Sequence, residues 1–139
     1  MAAFFRNIMI PSFSEGTNQK LAYMYFGHSE TVNPFHVVFG LYNSSHPLVA
    51  SDWPAESHLW QTSDIVSFSH NIALLGLHCP AMEEEHQVMA LHMERQVVMP
   101  SCGQLLCPLS TFRSKVLQPI LEVDFEEICN HELIRPGRN

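Results

Sequence analysis

Apolar residues change their spacing several times along this chain, and each change marks an element. Residues 21 to 26, LAYMYF, are apolar on both alternating faces, Leu21, Tyr23 and Tyr25 against Ala22, Met24 and Phe26. A short two-sided pattern of this kind predicts a strand buried within a covered sheet. Gly27 ends it, since a residue without Cβ lets the backbone turn sharply. Beyond Thr31 the period lengthens. Val32, Phe35, Phe39 and Tyr42 recur at steps of three and four, the stripe of a core-facing helix. Asn33 is the predicted cap, with Pro34 in the first helical position, where its missing N–H costs nothing. Gly40 or Asn43 is the predicted stop.

The rest of the chain reads more coarsely. PSFSEGTNQK, residues 11 to 20, has the Ser, Gly, Asn and Pro content of a loop. Residues 46 to 64 form a long irregular excursion holding Trp53 and Trp60, read as loop anchors. IVSFSHNIALLGLHC, 65 to 79, predicts a strand whose second half is apolar on both faces. HQVMALHMERQVVMPSC, 86 to 102, predicts a hairpin turning near Glu94 to Gln96, with Met89, Met93 and Met99 filling core. Pro108 opens a helical stretch with Leu109, Phe112 and Val116 as its stripe, and Asp124 to Glu127 resembles the start of a last helix. EEEH, 83 to 86, reads as a solvated turn. There is no internal repeat, low-complexity segment or linker, so residues 1–139 are read as one unit.

Composition narrows the classes. The chain has 139 residues, 46% apolar and 15% charged, a balance that supports a packed domain rather than a disordered one. A net charge of −7 with seven Lys plus Arg argues against a nucleic-acid or anionic-membrane surface. No apolar run reaches the roughly 18 to 20 residues that a membrane helix needs. The opening MAAFFRNIMIPSF carries Arg6 inside its apolar run and lacks a clean small-residue cleavage site, which makes it a poor signal peptide.

Nine histidines, at 28, 36, 46, 58, 70, 78, 86, 92 and 131, follow neither zinc-finger nor HExxH spacing. They read mostly as surface or hairpin positions, and a histidine-rich metal-binding module is an outside alternative. Four cysteines, Cys79, Cys102, Cys107 and Cys129, allow three pairings. In SCGQLLCP, Cys102 and Cys107 can close a short loop bracketed by Gly103 and Pro108, while the partners of Cys79 and Cys129 stay open. Asn43-Ser44-Ser45 is a glycosylation sequon in a turn-like context. Cysteines and sequon together tilt toward a secretory compartment.

The remaining pair is the chemically interesting one. His28 and Glu30 fall on the predicted strand-to-helix turn, near a helix N-terminus, where backbone N–H groups and the helix dipole favour an anion. A polar turn at a strand edge is the plainer account of the same two residues.

Four segments, taken in order, resemble one family. YFGHSETVNPFHVVFGLYN resembles the second signature of the histidine acid phosphatases. It is closest to the multiple inositol polyphosphate phosphatases, whose His-Ala-Glu-Thr motif replaces the His-Asp of other members. VSFSHNIALLGLHC looks like the strand that follows that motif, and VMALHMERQVVMPSC with LCPLSTF is similar to the hairpin, cysteine loop and helix that close the family's chain. The resemblance covers roughly residues 20 to 130. Ser29 stands in place of the motif's alanine, and His70 stands where the family usually has a small residue.

The resemblance implies an α/β fold: part of a phosphoglycerate-mutase-like mixed sheet flanked by helices, a single C-terminal portion without the cap domain. It implies hydrolysis of phosphate monoesters such as phytate through a phosphohistidine, with no cofactor or metal. Within that scheme His28 contacts the phosphate and Glu30 is the proton donor. The family's nucleophile lies in an Arg-His-Gly motif. None of Arg6, Arg95, Arg113, Arg135 or Arg138 is followed by His-Gly, so the expectation is a chain inactive alone. Implied with it are an inositol polyphosphate substrate in the complete enzyme and the lumen of the secretory pathway. The competing expectation is a non-catalytic truncated chain that associates through an uncovered sheet edge.

Overall fold

A computed structural model describes residues 22–45, 47, 49, 50 and 60–124. Within them lie four helical segments of α type, α1 Ser29–Val38, α2 Thr62–Ile65, α3 Leu109–Phe112 and α4 Gln118–Leu121, with a π-helical turn, Arg113–Leu117, between the last two. Four strands, β1 Ile72–His78, β2 His86–His92, β3 Arg95–Val97 and β4 Cys107–Pro108, form one sheet. The content is mixed α/β, and every pairing among the described strands is antiparallel.

β2 is the centre of the sheet. β1 runs along its whole length, from Ile72 opposite His92 to His78 opposite His86, and β3 and β4 share its other edge. The expected hairpin is present, with its turn at Met93 and Glu94, just ahead of the expected position. Both residues have positive φ, 49° and 58°, as a two-residue hairpin turn demands, although neither is a residue that favours that region. Asn71 holds the turn from outside: its carbonyl accepts the Met93 N–H at 3.1 Å, and its amide donates to Glu94 at 2.7 Å.

The core lies between α1, β2 and the last helices. Phe39 of the turn after α1, Val88 and Ala90 of β2, Met99, Cys107, and Leu109, Phe112, Val116 and Leu117 are all buried. The expected stripe Leu109, Phe112, Val116 is thus the inner face of the closing helices. The π turn falls just before Pro119, which has no N–H for the carbonyl four residues back and whose ring would press on it. Cys102 and Cys107 are disulfide-bonded, closing the short loop expected from the sequence. Cys79 is unpaired.

Two expectations are corrected. The segment 22–28 is not a buried strand: it carries no regular structure, and Tyr23, Met24, Tyr25 and Phe26 are 53%, 79%, 56% and 94% exposed. A strand apolar on both faces needs paired neighbours and two covering layers, and nothing among the described residues supplies them. Helix α1 starts at Ser29, with His28 as its N-cap residue, rather than at Pro34 after Asn33. Pro34 sits inside the helix, so the Glu30 carbonyl has no i+4 donor. The C-terminal stop is as expected. Gly40 has φ of 69°, the left-handed position that closes a helix, and a Cβ added there would stand 3.6 Å from the Pro100 ring. Trp53, Cys129, the expected last helix from Asp124 and the histidines at 46, 58 and 131 lie wholly or almost wholly outside the described residues.

Candidate functional site

The turn from Gly27 into α1 is built by close contact. A Cβ at Gly27 would stand 3.0 Å from the Thr31 side chain, so the absence of one lets the chain pass over the first helical turn. His28 is extended, φ −83° and ψ 169°, and its carbonyl accepts the Thr31 N–H at 2.9 Å, starting the helix. Its imidazole makes no capping hydrogen bond. Glu30 follows in the first turn, where a carboxylate is stabilised by the helix dipole, by about 0.3–1 kcal/mol.

Both side chains are exposed, on one short stretch at the positive end of a ten-residue helix. An imidazole that can carry charge, a carboxyl that can carry a proton, and free backbone N–H groups suit an oxyanion such as phosphate. The stretch 22–45 contains no Lys or Arg, so any further positive charge must come from elsewhere. The described cavity lies on another part of the surface. It is about 560 Å³ and is lined by Met82, Glu83, Glu84, Gln87, Gln104, Pro108 and Thr111, without His28 or Glu30. Among the described residues no three His, Cys, Asp or Glu side chains are grouped to hold a metal ion.

His78 is exposed and His86 and His92 lie in the hairpin, as expected, but His36 is not a surface residue. His36 is fully buried, His92 is 8% exposed and His70 is half-buried. The His36 ring meets that of His92 edge-on at 4.8 Å between centroids and lies beside His70 at 6.5 Å. Tyr42 joins them through its hydroxyl, 2.5 Å from His92 Nδ1. Burial, then the neighbouring His92 and His70, lowers the His36 pKa from 6.5 to about 4. Burial also raises that of Tyr42. The signal was present: His36 lies four residues after Val32 and three before Phe39, and His92 shares the face of Val88 and Ala90 at a period of two.

Comparison with known proteins places the chain beside phosphatases that act on phosphorylated inositols. It is similar to a protein of Dictyostelium discoideum named multiple inositol polyphosphate phosphatase 1, at 30% identity over 107 residues, 76% of this chain and 17% of that protein. It is also similar to the Gallus gallus protein of the same name, at 24% identity over 106 residues, 74% of this chain and 24% of that protein. The chain spans less than a quarter of the length of these relatives. Over about three-quarters of its own length it resembles part of the proteins of that name. No family model matches it. No solved structure matches it either.

Proposed function

We propose that this chain is a C-terminal portion of a histidine-phosphatase α/β domain and carries one half of a phosphomonoesterase site. The reading rests on the similarity of three-quarters of the chain to two proteins named multiple inositol polyphosphate phosphatase 1. It is supported by the exposed His28 and Glu30 at the positive end of α1.

In the complete site His28 neutralises charge on the transferring phosphoryl group. Glu30, protonated, gives its proton to the leaving alkoxide. It then takes one from the water that cleaves the phosphoenzyme. Proton delivery of this kind is worth about 10²–10⁴-fold. The attacking imidazole belongs to an Arg-His-Gly segment that this sequence does not contain. A nucleophile cannot be replaced by positioning, so the chain by itself is inert. The substrate in the complete enzyme is an inositol polyphosphate, and the compartment is the secretory lumen. The Cys102–Cys107 disulfide and the exposed sequon residue Asn43 support that compartment.

The test is phosphate release from a chromogenic monoester and from phytate. The expected result is no turnover by the chain alone, and turnover when it is co-expressed with the N-terminal portion of the Dictyostelium relative, lost again in Glu30→Ala. Turnover by the isolated chain that disappears in Glu30→Ala overturns its inertness. Failure of every complementing combination to show Glu30-dependent turnover overturns the half-site.

A second reading is favoured by one observation, the exposure of Tyr23, Met24, Tyr25 and Phe26. Contiguous exposed apolar side chains suit a binding module that associates with a longer copy of the enzyme, and β1 is an edge strand among the described residues. Replacing Tyr25 and Phe26 by serine weakens that association without touching His28 or Glu30.

A further inference from the structure

Three imidazoles meet in the core of this fold, and their hydrogen bonds define which nitrogens carry protons. His92 Nε2 lies 2.9 Å from the Ile65 carbonyl, which only accepts, so Nε2 is the donor. Its Nδ1 is then the acceptor of a neutral ring, and the Tyr42 hydroxyl donates to it. His70 Nδ1 lies 3.1 Å from the Ser67 carbonyl and donates there, which leaves Nε2 as a buried lone pair without a partner. Neither nitrogen of His36 has one.

This packing has no place for a charged His36. A proton added to His36 would leave two buried N–H groups without an acceptor and set a positive charge among two further imidazoles. The groups facing it are His92 from β2, His70 from the turn before β1, and Tyr42 from the turn after α1. Besides burial, both neighbouring histidines oppose protonation of His36. Two carboxylates on the packed elements are engaged elsewhere, Glu94 by Asn71 and Asp64 by Ser63, both at the exposed surface. Arg95, across from His92 in the sheet, is exposed.

We propose that His36, packed against His70 and His92, is an acid-sensitive lock, neutral when it seats helix α1 on the sheet and loosened when it takes up a proton. His36 is the α1 residue buried within the cluster, Tyr42 ties the chain just after α1 to His92, and the first turn of the same helix carries His28 and Glu30. Acid therefore acts first on the attachment of α1, ahead of the β1–β2 pairing. The direction follows from the proton balance. Below pH 6.5 the unfolded chain binds a proton at this position that the folded chain refuses down to about pH 4. Stability is complete above that window and falls as pH falls through it.

Two measurements test the lock. In urea unfolding at pH 7.5 and pH 5, the unfolding constant of the wild type rises by roughly 30-fold more than that of His36→Phe, the ratio given by a pKa moved from 6.5 to about 4. Equal rises in the two proteins overturn the proposal. The wild type alone supplies the second: hydrogen exchange at pH 5, corrected for intrinsic rates, shows α1 amides losing protection before those of β2. Uniform loss, or a His36 imidazole signal that titrates near 6.5 in the folded protein, also overturns it. The second measurement stands even if His36→Phe does not fold.

Discussion

Both carboxylate oxygens of Glu84 are held by Ser110, Oε1 accepting its backbone N–H at 2.7 Å and Oε2 its hydroxyl at 2.5 Å. Glu84 belongs to the connection between β1 and β2, and Ser110 to the first turn of α3, so a residue distant in sequence caps that helix. The hydroxyl bond first, and the backbone bond after it, hold the Glu84 carboxyl below its usual pKa. Glu84→Gln is expected to cost about 1 kcal/mol at pH 7, within the range of other lost caps. A lowered carboxyl contributes stability above its ordinary pKa and loses it as pH falls through the lowered value. The gap between wild type and Glu84→Gln in urea melts therefore closes in strong acid. A gap of the same size at pH 7 and in strong acid would refute the charged cap.

This acid loss is separate from that of the histidine cluster. The cluster weakens the fold between pH 6.5 and about 4, and Glu84 acts only below the usual carboxylate range. A stability profile against pH therefore falls in two steps. His36→Phe removes the upper step and Glu84→Gln the lower.

The Cys102–Cys107 bond spans five positions and fastens β4 to the end of the β3 connection. Cross-linking so short a loop stabilises by about 2 kcal/mol in the chain-entropy account. Reduction by a phosphine is expected to lower the urea midpoint accordingly. Coincident melts of the oxidised and reduced chain would show that the loop is held without the bond.

Asn43 is exposed just beyond the left-handed Gly40 and Tyr42, where the chain has turned away from the core. Expression through a secretory pathway is expected to add a glycan that an endoglycosidase removes and that Asn43→Gln lacks. An unmodified mass from both proteins would leave the sequon silent.

Relatives reach this chain over about three-quarters of its length, and the four ordered segments that resemble the phosphatase family fall within residues 20 to 130. That much was legible because motif residues are local. GHSET lies on one turn, and the cysteine loop needs only five positions of separation. The helical stripe Leu109, Phe112, Val116 was legible for the same reason, since a period of three and four needs no distant partner to be recognised.

The sequence by itself therefore determined the hairpin, the closing helices, the short disulfide loop and the place of His28 and Glu30 near a helix N-terminus. Tertiary structure decided the rest. LAYMYF reads as a buried strand, but burial is a property of neighbours, and Tyr23, Met24, Tyr25 and Phe26 are exposed. Asn33-Pro34 reads as a helix start, yet the helix begins at Ser29 and runs through Pro34 to Val38, a continuity that local capping signals do not reveal. His36, His70 and His92 read as scattered polar residues. Only the docking of α1 onto β2 brings their rings together, because residues far apart in sequence become neighbours through packing alone, and a neutral imidazole is buried at lower cost than a charged one.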